Sequence, residues 1–211
     1  MNEFFQALTN PDMGFFRYAV LTGVIASVAF GIVGTYVVVR RITYIAGAIA
    51  HCILGGIGLA LYLQYKLQAP WITPMGGAIV SALLAALVIG VVSMNWKQRE
   101  DAVISAMWAV GMALGVLFIA MTPGYLSPMS YLFGDILMVS RQDFYTVIAL
   151  DVLIVTFCLI FYNKFLAVCF DSDFARIKGV RVDAYYLLLL CLTALTIVLL
   201  ISVVGLIMVI E

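Results

Sequence analysis

The sequence contains a single histidine, His51, inside the apolar stretch 46–58. Imidazole is a common ligand for zinc and related transition metals. An ionisable group in a membrane-spanning helix is costly, so it usually faces the interior of the helix bundle or a pathway through it. His51 therefore predicts one of two roles, either a metal ligand on an ion path or a histidine that only hydrogen-bonds to a neighbouring helix.

A carboxylate, Asp151, lies inside another apolar stretch. It comes eight residues after Asp143, about 12 Å along a helix, and His51 comes nine residues after Ile42, about 14 Å. Measured from opposite faces of a hydrocarbon core of about 30 Å, the two depths differ by only about 4 Å. We expect the two side chains to meet if their helices are neighbours. The alternative is that Asp151 satisfies a threonine or tyrosine on an adjacent helix.

The polar segment 170–180 predicts a short helix outside the bilayer. Asp171 is a favourable N-cap, and Gly179 can adopt the left-handed conformation that ends a helix. Charged residues in the first and last turns complement the helix dipole. The small residues Ala175 and Gly179 would allow a partner surface to approach closely. The same features also fit an ordinary capped linker helix.

Membrane-spanning helices are needed to position these residues. The chain is 65% hydrophobic and 10% charged, with a mean hydropathy of +1.17, whereas a soluble domain is typically about 25% charged. Only helices or a closed barrel can cross a bilayer, and the continuous apolar runs lack the alternation of barrel strands. We predict an all-α, polytopic membrane protein with a single domain over residues 1–211. Its six predicted spans are about 15–39, 42–64, 74–95, 102–121, 144–163 and 184–210.

The basic residues predict the orientation of these spans, because Lys and Arg accumulate on the cytoplasmic side of a membrane. With the N-terminus outside, eight basic residues lie in the inner loops and three lie outside. The inner set is Arg40, Arg41, Lys97, Arg99, Lys164, Arg176, Lys178 and Arg181, and the outer set is Arg17, Lys66 and Arg141. The short helix within 170–180 is then cytoplasmic.

Composition and motifs argue against several classes of function. The net charge is zero and no basic face is visible, which gives no support to nucleic acid as a partner. No GxxxxGK[ST] segment is present, so ATP would have to be bound by a separate subunit. A single histidine excludes an HExxH protease, and no GxSG-like segment is visible. An intramembrane enzyme remains an alternative, as does a secondary transporter driven by an ion gradient, although no inverted repeat is evident.

Small residues surround His51 on its predicted helix. Gly47, Gly55, Gly56 and Gly58 give this helix a smooth surface. Small residues permit close helix contact in membranes, so we predict that these glycines serve helix packing. The same smoothness could leave room for an ion path. The four cysteines have no paired metal-ligand spacing, and we interpret them as small apolar fillers.

Six short motifs occur in order along the chain. One is the spacing of Asp171, Ala175 and Gly179 ahead of a long apolar helix. The others are 39–41, 44–60, 100–104, 132–135, and 194–198 together with 204–205. In this order they resemble the permease subunits of the zinc, manganese and iron type of ABC importers, and the resemblance extends over nearly the whole chain.

The resemblance implies a transport subunit that does no chemistry and moves a divalent transition metal ion across the bacterial cytoplasmic membrane. A homodimer of such chains would form the path, an extracytoplasmic metal-binding protein would deliver the ion, and an ATP-binding subunit would supply energy. Asp171, Ala175 and Gly179 would belong to the coupling loop that docks into the ATPase. Glu100 and Asp101 would lie near it, although both also suit the first turn of the fourth span. No permanently bound cofactor is implied.

The sequence departs from the family pattern at two places. The family commonly has an aspartate four residues before the matching histidine, on the same helical face, and here that position is Gly47. The histidine carries over and the carboxylate does not. The sixth span runs to Glu211 without a polar tail or the family's Pro-Ala-Ala stretch, so we expect the chain to be incomplete at its C-terminal end.

Overall fold

The computed structural model describes residues 14–69, 71–96, 99–123 and 141–204. Over these ranges the chain forms eight helices and no strand, so the predicted all-α fold is confirmed. The helices are α1 (Gly14–Arg40), α2 (Thr43–Leu67), α3 (Pro74–Asn95), α4 (Glu100–Met121), α5 (Arg141–Ile160), α6 (Tyr162–Phe170), α7 (Ser172–Ile177) and α8 (Val182–Val204). Lys97, the motif 132–135 and the predicted end of the sixth span at 205–210 lie outside the described residues.

Five of the described helices, α1 to α4 and α8, are long and apolar enough to cross a membrane. The pair α5 and α6 provides a sixth span if the two are counted as one. The prediction of about six membrane-spanning helices is therefore confirmed.

The predicted fifth span, 144–163, is a bent pair instead of one straight helix. The axes of α5 and α6 differ by 71°. Beyond the bend, Phe165 is fully buried, and its ring centroid lies 5.7 Å from that of Tyr36 and 6.4 Å from that of Tyr185. The bend turns this aromatic face toward the bundle, and hydropathy could not reveal it because the residues on both sides are apolar.

Helix α8 occupies the centre of the bundle. It packs against α1, α2, α3 and α5, and its Leu189, Leu190 and Leu199 are fully buried. Helix α2 packs mainly against α3 and α4, and α5 packs mainly against α1. Helices α2 and α5 therefore share no extended interface, although α8 touches both.

The glycines of α2 lie at its contacts with α3 and α4. A Cβ atom added at Gly58 would lie 2.6 Å from the carbonyl oxygen of Gly115, and one added at Gly55 would lie 2.9 Å from that of Gly111. On the α3 side, Gly56 meets the backbone of Gly77 in the same way. Glycine is required at these points because the two backbones are in direct contact.

Replacing Gly111 by alanine should destabilise the bundle. The new Cβ would lie 2.8 Å from Cα and 2.9 Å from the backbone nitrogen of Cys52, so α2 and α4 would have to separate. Overpacking of this kind typically costs about 1–3 kcal/mol. In a chain of this size each kcal/mol lowers a melting temperature by roughly 2–4 °C, which a thermal unfolding scan of the detergent-solubilised protein would detect.

The matched control is Gly31→Ala on α1, where no atom lies within 4 Å of the added Cβ. Alanine is the better helix former, so this variant should be at least as stable as the original chain. Equal melting temperatures for Gly111→Ala and Gly31→Ala would contradict the close contact between α2 and α4.

Candidate functional site

His51 lies on α2 with only 5% of its surface exposed. Neither Nδ1 nor Nε2 has a hydrogen-bond partner among the residues that the structure describes. No described residue of a neighbouring helix therefore supplies the hydrogen bond that the alternative role of His51 requires. Buried polar atoms almost always have partners, and one without a partner suggests a functional role or a missing ligand.

The imidazole is covered by Trp108 of α4. The two ring centroids lie 4.3 Å apart, with 31° between the ring planes. The ring of Tyr44 lies 6.1 Å from the indole, measured between centroids, and its hydroxyl is 3.1 Å from that of Ser105. Sequence reasoning missed Trp108, because a tryptophan within an apolar span carries no sign of the residue against which it packs.

Gly47 lies against the same indole. A Cβ atom at this position would come within 2.8 Å of Cζ3 of Trp108. The space that a side chain at position 47 would need is therefore filled by the ring. The face of α2 that carries His51 is closed by an aromatic surface and carries no second ligand at the position one turn earlier.

Asp151 lies on α5 and is also buried, with 6% of its surface exposed. Its Oδ1 accepts a hydrogen bond from the backbone N–H of Ala29 on α1, at 3.3 Å. Because the imidazole nitrogens of His51 have no partner, no hydrogen bond joins the two residues. Among the described residues, no group of three or more His, Cys, Asp or Glu side chains is arranged to hold a metal ion.

The predicted short helix is present as α7. The Oδ1 atom of Asp171 accepts hydrogen bonds from two backbone N–H groups of the first turn, at 3.1 and 2.9 Å. Gly179 has φ +78°. The N–H groups of Gly179 and Val180 each donate to a carbonyl oxygen of the last turn, at 3.0 Å. These two bonds form a Schellman motif, which is the helix ending that a glycine at this position favours.

Ala175 faces the bundle, where the expectation from sequence was that it would face a partner. It is 1% exposed and packs in one cluster with Val168 and Val182. The outer face of α7 instead presents Phe174, which is 55% exposed, and Ile177, which is 85% exposed. Sequence reasoning missed these two residues, although bulky apolar side chains on a polar, capped helix are a usable sign of a contact surface.

A polar cavity of about 410 Å³ opens at the end of the bundle next to α7. It is lined by residues from the α1–α2 junction, α3, α4, α7 and α8. Its charged and hydroxyl-bearing lining residues include Arg40, Arg41, Ser93, Glu100, Arg176 and Asp183. Basic residues from two of the predicted inner loops therefore share one end of the bundle with the start of α4.

Glu100, at the edge of this cavity, is hydrogen-bonded to another residue of the chain. Its Oε1 accepts a hydrogen bond from the Ser93 hydroxyl at 2.9 Å, and that hydroxyl is also 3.1 Å from the hydroxyl of Tyr186. The guanidinium of Arg40 lies 5.6 Å from the centre of the Tyr186 ring. Asp101 is exposed. The two carboxylates thus differ: Glu100 ties α4 to α3 and α8, and Asp101 is open to a partner.

Comparison with known proteins agrees with this architecture. Residues 12–211 match the family described as the ABC 3 transport family. A protein of Chlamydia trachomatis serovar D, named "Probable metal transport system membrane protein", is 47% identical over 184 residues, which cover 87% of this chain and 62% of that protein. The "Manganese import system permease protein ScaB" of Streptococcus gordonii is 29% identical over 100% of this chain and 72% of its own length.

A solved structure is similar over almost the whole chain. It is described as "PsaBC from Streptococcus pneumoniae in complex with Fab", and it aligns with a TM-score of 0.83 and 28% identity over 99% of this chain and 72% of that one. The present chain spans about three fifths of the length of the Chlamydia relative, since it covers 62% of that protein. It is a multi-pass helical membrane protein, and it belongs to the ABC 3 transport family.

Proposed function

We propose that this chain is the permease subunit of an ABC importer that moves a divalent transition metal ion across the bacterial cytoplasmic membrane. Manganese is the first candidate ion, because the names of several relatives specify manganese. Zinc and iron are the other candidates, since an imidazole ligand suits all three better than magnesium or calcium. The chain itself does no chemistry in this scheme.

The observation that carries the proposal is the construction of α7. The helix is capped at both ends, seated on the bundle through Ala175, and presents two bulky apolar side chains outward. Arg176 forms an ion pair of 2.7 Å with Asp183 in the first turn of α8. Helix α7 is therefore a capped, exposed element outside the spans that is joined to the central helix α8. These properties fit a docking element for a separate ATP-binding subunit.

The roles of the remaining residues follow from this scheme. Asp171, Ala175 and Gly179 build and seat the coupling helix, and Asp101 lies on the ATPase side of the protein. His51 is the ion-binding residue of the path. Asp151, on a helix that shares no extended interface with that of His51, supplies a negative charge at a separate point along it. A metal ion needs more ligands than one imidazole, so the scheme includes a second copy of the chain and an extracytoplasmic metal-binding protein that delivers the ion.

Replacing His51 by alanine should abolish metal uptake. The measurement is manganese accumulation by a strain that lacks its own importer and is complemented with either chain. The control is Thr196→Val on α8, which removes a buried hydroxyl that donates to a carbonyl oxygen of its own helix, at 2.8 Å, and should leave uptake intact. Normal uptake by the His51 variant at equal membrane abundance would remove this residue from the path.

The same assay separates the two roles considered for Asp151. An asparagine keeps an oxygen that can accept the Ala29 N–H and removes only the charge. Asp151→Asn should therefore leave the amount of folded chain unchanged and lower metal uptake. If Asp151→Asn transports metal normally, the carboxylate serves only to hold α5 against α1.

Ile177→Ala should weaken binding of the ATP-binding subunit. Loss of a well-buried apolar contact at an interface typically costs about 1–2 kcal/mol, or roughly tenfold in affinity. The matched control is Ile160→Ala at the end of α5, where 67% of the isoleucine surface is exposed. Co-purification of the ATPase should fall for the first variant only, and equal recovery with both variants would show that α7 is not the docking element.

A further inference from the structure

The imidazole of His51 is buried without hydrogen bonds from the described residues to its ring nitrogens, and a ligand that bound to them would remove this cost. His51 is 95% buried, and neither ring nitrogen bonds to any residue that the structure describes. Burial has removed the hydrogen bonds that water would make, and no protein group replaces them. The ring nitrogens of His51 are thus free to bind a ligand, but burial prevents a ligand from reaching them.

Trp108 is the cover. Its ring stacks on the imidazole at 4.3 Å and also fills the space beside Gly47. An indole has one N–H donor and no free lone pair, so it cannot replace a second metal ligand. Its position therefore marks it as a lid over the imidazole and not as part of a coordination shell.

The contact between α2 and α4 would allow this lid to move. The two backbones touch through pairs of glycines, so their direct contact contains no interlocked side chains. The side-chain contacts beside it, such as the hydroxyls of Tyr44 and Ser105 at 3.1 Å, would have to shift when α4 rotates or slides. An apolar cavity of about 410 Å³ lies beside this contact, lined in part by Cys52, Met107 and Gly111. It provides space next to α4 into which neighbouring side chains can move.

The start of α4 is connected to the proposed coupling helix. Glu100, the first residue of α4, bonds to Ser93, and Ser93 lies 3.1 Å from the hydroxyl of Tyr186 on α8. Helix α8 is joined in turn to α7 by the ion pair of Arg176 and Asp183. A displacement of α7 can therefore reach the helix that carries Trp108.

We propose that Trp108 is a gating residue of the ion path: its indole closes His51 in the resting state and leaves it when α4 is displaced during transport. The inference rests on the proposed function for its transport step, and the covering of His51 by Trp108 can be tested without transport. It assigns to Trp108 the control of access to the single imidazole.

Chemical labelling of the single histidine tests the cover directly. The chain, carrying a histidine-free affinity tag, is purified with its ATP-binding subunit and treated with diethyl pyrocarbonate. Transfer of an ethoxycarbonyl group to the imidazole of the His51 peptide, with release of ethanol and carbon dioxide, is followed by mass spectrometry. Wild type should react slowly. Trp108→Ala should react at least about tenfold faster, which corresponds to a shift of about 1.4 kcal/mol in the opening equilibrium.

Two further variants guard against simple misfolding. Gly47→Ala retains the tryptophan residue but sets a Cβ 2.8 Å from its ring, so it should push the indole away from His51 and also speed labelling. Trp71→Ala removes a tryptophan that is 80% exposed and should react as wild type does. If both Trp108→Ala and Gly47→Ala were labelled at the wild-type rate, the proposal that Trp108 covers His51 would be wrong.

A flux measurement tests gating separately. Vesicles containing the complex with Trp108→Ala should leak manganese without ATP, whereas vesicles with wild type or Trp71→Ala should not. Fast labelling of Trp108→Ala without a leak would show that Trp108 covers His51 but does not gate ions, and would overturn the gating step. If His51→Ala imports manganese normally, the proposed path fails, and the labelling result for Trp108 is unaffected.

Discussion

The close backbone contact between α2 and α4 is the constraint on which the rest of the site depends. It is made by Gly55 and Gly58 of α2 and by Gly111 and Gly115 of α4. Lipid gives helices little reason to associate by hydrophobic exclusion, so packing at such contacts holds them together. Because the backbones touch, the indole of Trp108 reaches across to His51 and fills the space beside Gly47. Larger residues at these glycines would separate the stacked rings.

The features that the sequence predicted well are those fixed by local chemistry. Apolar length alone determines whether a helix can cross a bilayer, and the described helices follow the predicted order of spans. The caps of α7 were predictable because Asp171 bonds to amides within its own first turn, and Gly179 ends the helix with a backbone conformation that other residues rarely adopt.

The features that sequence reasoning missed depend on contacts between distant segments. Asp151 bonds to an amide 122 residues away, and a depth calculation along two helices cannot say which helices are neighbours. Ala175 turned inward because Val168 and Val182 come from the helices on either side of it. Trp108 carried no local signal, since its role arises only when α4 lies against α2. Hydrophobic periodicity and capping residues predict where helices begin and end. Which helices pack against each other can be seen only in the folded structure.

These contacts link the exposed helix α7, through the central helix α8, to the start of α4, the helix that carries Trp108. We propose that a separate ATPase drives ions through this chain. The most direct measurement is ATP-dependent manganese accumulation in vesicles that contain the chain, its ATP-binding subunit and the metal-delivering protein. We expect a stable complex whose ATP turnover rises with the loaded delivery protein and whose vesicles accumulate manganese. A chain that neither binds the ATPase nor stimulates its turnover would contradict it.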